Sequence, residues 1–493
     1  MQFWKLYKVP VLLTLVCLFL YGLFAYDLIR TEYTKLITLY CALWLTFMLL
    51  LKYAKNNIKF LTVVAFLSRA IFILAIPNLS QDFYRFIWDG RMILEGLNPY
   101  LYTPASFVQS GKLPVAEAQE LYAGMGPLNS SHFSNYPPIN QLCFVIAGLF
   151  SGHSILGSAM VLRLLIIAAD FGTFFFGKLL LEKLNIPVKN IFWYLLNPFI
   201  IIELTGNLHF EGVMIFFLIW SLYLLHTGKW KWAAIVFALS ISVKLIPLLF
   251  LPLLFFYFKK PLVMSSKVEK SLNNTQDQPH RPLDSARGDS PITLADSQVP
   301  RNDIVKLIYF YSIIGITTLL LFAPFYASEF VNNYSETVAL WFNNFEFNAS
   351  IYYLAREIGY WFTGYNEIAV IGKILPVLVF LFVMGLTFFK RKTNTKMLIT
   401  NMLFAFFVYL FLSTTVHPWY LATLLIMSVF TNYKFPVVWS FVIILSYLSY
   451  INLNSMDKSE NLYIIALEYI IVYSVFIWEV FIKKNRFGSK ERP

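Results

Sequence analysis

Val9-Pro10-Val11-Leu12-Leu13-Thr14-Leu15-Val16-Cys17-Leu18-Phe19-Leu20-Tyr21-Gly22-Leu23-Phe24-Ala25-Tyr26 contains no charged side chain. As a helix rising ~1.5 Å per residue, it nearly spans the ~30 Å hydrocarbon core of a bilayer. The short basic segment before it leads to no small-residue cleavage site, so an uncleaved anchor is expected. Two more apolar runs follow at roughly 36–53 and 60–77. Lys52, Lys55 and Lys59 between them place that connection and the N-terminus in the cytoplasm. Pro77 is then delivered to the outer side.

The pattern continues along all 493 residues, of which 58% are hydrophobic and 13% charged. A soluble chain carries about 25% charged residues, so lipid is the solvent here. Further spans are expected near 155–181, 190–205, 208–226, 231–244, 246–258, 304–325, 367–389, 397–414, 417–431, 435–451 and 461–482. Ile139 to Phe150 is too short to cross and reads as a half-helix in the outer interface. The expectation is an all-α polytopic membrane protein of about fourteen transmembrane helices. Its N-terminal membrane region covers 1–258 and its C-terminal one 304–482. Between them, 259–303 is rich in Ser, Asp, Asn and Pro and reads as a disordered cytoplasmic insertion. The cluster Lys390, Arg391, Lys392, Lys396 and the basic tail 483–493 also fall in the cytoplasm under this count. Two sizeable loops, 78–138 and 326–366, then lie outside.

The formal charge of +12 follows from these cytoplasmic clusters, and no nucleic-acid partner is expected. Three scattered cysteines, Cys17, Cys41 and Cys143, form neither a disulfide framework nor a metal site. The chain ends without an endoplasmic-reticulum retention signal, which points to a bacterial cell membrane.

The first outer loop opens Ser80-Gln81-Asp82-Phe83-Tyr84-Arg85-Phe86-Ile87-Trp88-Asp89-Gly90-Arg91. Ser80 is a candidate helix cap, and Gly96 with Asn98-Pro99 a stop. Phe83, Phe86, Ile87, Leu94 and Leu97 share one helical face, and Asp82, Arg85 and Asp89 another. Such a helix is expected to lie flat in the interface, apolar side down, with its carboxylates at headgroup level. A sugar held on a polyprenyl phosphate reacts at that depth, where a base such as Asp82 would meet the acceptor hydroxyl. The alternative is structural, with Asp82 only a cap and Asp89 only paired to Arg85 four residues before it.

Charges inside spans need partners. Arg163 and Asp170, on one helix face, are expected to pair with each other, and Arg69 to pair or snorkel. Lys244, Arg91, His209 and His417 fall at the outer boundary and are candidates to stabilise a departing phosphate. Plain snorkelling of Lys244 and hydrogen-bonded interface histidines are the alternatives. Glu211 can orient His209 or bind acceptor hydroxyls. In the second loop Trp341, Phe342, Phe345, Phe347, Tyr352, Tyr353 and Arg356 fit a sugar-stacking wall or an interfacial aromatic belt.

Gln81 to Arg91 with Gly96-Leu97-Asn98-Pro99-Tyr100 resembles the first-loop signature of GT-C superfamily polyprenyl-phosphate-mannose-dependent mannosyltransferases. Tyr136-Pro137-Pro138 with Gln141, Asn207 to Gly212, Lys244 with Pro247, and His417-Pro418-Trp419-Tyr420 resemble that superfamily's later motifs. The resemblance implies a GT-C-like bundle with interfacial helices in both outer loops. It also implies an inverting sugar transfer on the extracytoplasmic face, from a polyprenyl-phosphate-linked hexose, mannose by resemblance, to a lipid or glycan acceptor. Asp82 is its general base. Asp89, Trp88, Glu211, Asn207 and Tyr136 are expected around acceptor and sugar. Many relatives carry two neighbouring acids here, whereas Gln81 precedes Asp82. A lone carboxylate holds a divalent ion poorly, so no metal or other cofactor is expected. The rival function is a transporter or flippase of lipid-linked sugars, which would line a path with charges and usually show repeat symmetry.

Overall fold

A computed structural model describes residues 2–54, 57–258, 299–343, 345–389, 394–454 and 460–483. Nearly all of the expected insertion, the 390–392 cluster and the tail after Lys483 lie outside the described residues, as do the side chains of Trp341 and Phe342. A helix runs Val299–Phe322, starting within the end assigned to the insertion.

The architecture is helical throughout the described residues, apart from one isolated pairing between Phe347 and Thr415. Among those residues seven helices are long and apolar enough to cross a membrane, or eight if one bent pair counts as a span. The expected count of about fourteen is not reached, because several apolar runs do not form straight helices. The third run ends as a helix at Ala70, and 246–258 is a series of tight turns punctuated by Pro247 and Pro252. The helices Trp230–Val243, Pro418–Val429 and Phe435–Ser449 are apolar but short.

The site is built on α1 (Gln2–Tyr26), α4 (Asp82–Leu94), α6 (Ala118–Ser131), α7 (Pro138–Ser151), α8 (Ile155–Lys183), α11 (Glu211–His226) and α12 (Trp230–Val243). The flat interfacial helix expected at α4 is instead enclosed: Phe83 and Arg85 through Met92 are all buried. Helices α6 and α7 pack over it, so the face carrying Arg85 and Asp89 meets protein rather than headgroups. Gly90 makes this approach possible, since a Cβ there would lie 2.3 Å from the carbonyl oxygen of Phe144 on α7. Gly90→Ala must push two backbones apart, and we expect a loss of about 1–3 kcal/mol, read as a lower melting temperature of the purified protein. The stop at Gly96 holds, with φ +74° just past the helix end.

The buried charges pair differently from expectation. Arg69 bonds Asp170 at 2.7 Å, both fully buried. Arg163 donates instead to the carbonyls of Thr205 (2.8 Å), Gly206 (3.0 Å) and Ile73 (3.0 Å). Seven residues of helix separate Arg163 from Asp170 by ~10 Å of rise, too far for direct contact. Arg163 caps the carbonyls exposed where the chain bends by 113° between 198–206 and α11.

The loop 326–366, expected on the outer side, is tied down at two places. Phe347 accepts from Val416 N–H (2.8 Å) and donates to Thr414 O (3.1 Å). Glu460 accepts the Asn348 N–H and contacts the Tyr353 hydroxyl, while Glu468 accepts from the Asn348 side chain (3.3 Å) and Trp439 (2.9 Å). Tyr352 and Tyr353 are buried in this arrangement, and Arg356 pairs with Glu346 at 2.8 Å. These three therefore serve the fold of the loop, while Val338 and Phe345 from the same loop line the cavity described next.

Candidate active site

A cavity of about 600 Å³ opens where the start of α4, the end of α6, the end of α12 and the chain around residue 417 converge. Asp82, Asn129, Asn135, Tyr136, Lys244 and His417 line its polar side, with Arg30 from the turn after α1. Leu245, Ile246, Leu249 and Phe406 line an apolar wall continuous with Lys244.

Asp82 is the first residue of α4. Ser80 lies one position outside the helix cap, which is Gln81, and its hydroxyl accepts the Asp82 N–H at 3.3 Å. The Asp82 carboxylate accepts from the Asn129 side chain at 3.1 Å through Oδ1. Burial pushes its carboxyl above the usual 3.8, against the pull of Asn129 and of the Lys244 charge. A base needs this environment: accessible to a substrate yet weakly solvated.

Lys244 ends α12 and bonds the fully buried Glu211 at 2.7 Å. Its ammonium also lies 5.9 Å from the Tyr136 ring centre. Glu211 thus reaches the cavity only through Lys244 and does not line it. His417 stacks on Trp419 (4.5 Å, 7°), and Trp419 in turn stacks on His209 (3.7 Å, 15°). His209 is therefore one ring behind the cavity wall, beside Glu203 at 3.9 Å.

The remaining candidates sit in the support of the site. Arg91 binds the Ala116 carbonyl (2.6 Å) and Glu117 (3.0 Å), turned away from the cavity. Asp89 pairs with Arg85 at 2.7 Å and accepts from Gln141 at 3.2 Å. Trp88 is fully buried, with its indole N–H on Met92 sulfur. Asn207 accepts the Leu79 N–H at 3.0 Å and so holds the chain leading into Asp82. It precedes Leu208, a buried residue with φ +61°, which is strained for a branched side chain and belongs to the 113° bend. The structure brings Asp82, Lys244, His417 and Tyr136 to one cavity and leaves Arg91, His209, Asp89, Trp88, Glu211 and Asn207 off its lining.

Sequence reasoning missed Arg30 and Asn129. Arg30 carried a usable signal: under the expected topology it is a cation on the outer side, against the cytoplasmic bias of basic residues. Asn129 carried none, since only the folding of α6 across α4 brings it to Asp82. Among the described residues no group of three or more His, Cys, Asp or Glu side chains gathers to hold a metal ion.

Residues 27–259 match the family described as alpha-(1->6)-mannopyranosyltransferase, N-terminal domain. Alpha-(1->6)-mannopyranosyltransferase A of Mycobacterium tuberculosis is 23% identical over 173 residues, 35% of this chain. The match spans only 32% of that protein's length. No solved structure matches. Asp82, Asn129 and Lys244 all fall inside the matched region, whereas the wall from residue 338 onward lies beyond it. The resemblance read from the motifs thus meets an independent match where the polar side of the cavity is made: residues 27–259 are similar to the alpha-(1->6)-mannopyranosyltransferase N-terminal-domain family.

Proposed function

We propose that this protein is a membrane mannosyltransferase that takes its sugar from a polyprenyl-phosphate carrier on the outer face and gives it to a lipid or glycan acceptor. The observation that carries the reading is one cavity with Asp82 and Lys244 on its polar side and an apolar wall running on from Lys244. A carrier lipid needs both: a cation for the phosphate and a greasy surface for the first isoprene units.

In the proposed reaction Asp82 accepts the proton of an acceptor hydroxyl as its oxygen bonds to the anomeric carbon. The bond from that carbon to the phosphate oxygen breaks on the opposite side. Its electron pair leaves with the phosphate, and the charge that grows there is met by Lys244, with His417 on the same lining. Displacement from behind inverts the centre, so a β-linked donor gives an α-linked product. Tyr136 forms part of the sugar enclosure. The other five side chains first assigned to sugar and phosphate, apart from Glu211, which holds Lys244, support the elements that carry these groups.

The test is transfer by the purified protein in detergent, supplied in parallel with polyprenyl-phosphate mannose and polyprenyl-phosphate glucose and a mannose-containing acceptor lipid. Transfer from the mannose carrier to an α-linked product supports the reading. Movement of the carrier across sealed vesicles with no transfer sinks it and supports a flippase. The reading needs no metal, so excess EDTA leaves the initial rate unchanged within about twofold; loss of activity restored by Mg²⁺ or Mn²⁺ contradicts that.

A further inference from the structure

Within the reading of Asp82 as a base, the geometry points to Asn129 as the residue that selects which carboxylate oxygen takes the proton, leaving Oδ2 as the basic atom. Asn129 donates its side-chain amide to Asp82 Oδ1 at 3.1 Å. Among the described residues no group donates to Oδ2, and Asp82 lines the cavity, so Oδ2 is the oxygen open to an acceptor.

Asn129 is held from behind. Arg85 donates to its main-chain carbonyl at 2.5 Å and to that of His132 at 2.9 Å. The guanidinium is fixed in turn by fully buried Asp89 at 2.7 Å, and Asp89 accepts from Gln141 on α7. Asp89 and Arg85 thus act at a distance: they anchor the end of α6, and α6 presents Asn129. The segment reaches this position through Gly126, whose φ of +73° turns the chain ahead of Pro127. A rigid tie on one oxygen matters because a carboxylate free to rotate offers its base in the wrong geometry much of the time.

The proton balance is simple. The acceptor O–H proton passes to Oδ2, the amide donor stays on Oδ1, and the electron pair of the broken anomeric bond leaves with the phosphate. Asn129 is a positioning residue, with no contact to the reacting atoms.

The groups facing Asp82 are Lys244, Glu211, Tyr136 and Tyr420, with Arg30 and His417 on the same lining. Removing the amide takes away a donor that favours the charged carboxylate. Asn129→Leu should therefore lower kcat about tenfold and move the acidic limb of the kcat profile up by about half to one pH unit. Asn129→Asp puts a like charge on Asp82 and should move that limb further up. Melting temperatures of both variants separate these effects from misfolding. Unchanged pH limbs in folded, active variants overturn the role of Asn129 and leave the base itself standing. A wild-type protein with no transfer to any acceptor removes both.

Discussion

Asp82→Asn should abolish transfer, with kcat lower by roughly 10²–10⁴-fold, while the protein folds at least as well as wild type. Two properties of the site drive this in opposite directions. Asparagine keeps the shape of the side chain but accepts no proton, so the acceptor hydroxyl has no base. Burial, however, holds the folded-state carboxyl above 3.8. A carboxyl raised on folding binds its proton more tightly in the native state, so its ionisation erodes stability as pH climbs from about 3.8 through the raised value. Above the raised value that penalty is fully present in wild type and absent in the variant. The expected signature is an inactive protein with an equal or higher melting temperature. The same shift sets the pH dependence of catalysis: wild-type kcat should fall on acidification, with an inflection above 3.8. Retained transfer in Asp82→Asn would remove the base from the mechanism.

The apolar runs were legible because lipid demands long uncharged helices, and α1 and α8 follow directly from their composition. What composition could not distinguish was a straight crossing from a bent or broken one. The stretch 198–226 is apolar enough for a span, but its bend rests on Arg163, from another helix, reaching the carbonyls of Thr205 and Gly206. The first-loop helix was legible to within one residue at its start, where the cap is Gln81 rather than Ser80, and at its stop, where Gly96 lies just past the end. Its surroundings were not. Periodicity shows which residues share a face, and cannot say whether that face meets headgroups or two more helices, one of them drawn close by Gly90. For the site, the motifs supplied Asp82, Lys244, His417 and Tyr136, all on one lining. They also supplied Asp89, Asn207 and His209, whose contacts lie one layer back. A motif marks residues a site needs, and those include the ones that hold others in place.

Lys244→Met should be damaging in two separable ways. The first is structural: Glu211 is fully buried, and its 2.7 Å bond to Lys244 answers its charge. Breaking a buried pair by removing one partner costs about 3–5 kcal/mol; the lower end applies here because Lys244 is 18% exposed and solvent screens part of its charge. The second is chemical. If Lys244 meets the charge developing on the departing phosphate, its loss lowers kcat by on the order of 10²–10³-fold. Changing both partners pulls the two apart. Lys244→Met with Glu211→Gln carries no stranded carboxylate, so its melting temperature should return to near the wild-type value while transfer stays lost. Glu211→Gln alone keeps the ammonium and frees it from its counter-charge. That variant should bind polyprenyl phosphate, the reaction product, more tightly than wild type and show stronger product inhibition. A double variant that recovers activity together with stability would mean that Lys244 serves only to neutralise Glu211. The phosphate would then have to be met by another cation on the lining, of which Arg30 is the one the structure offers.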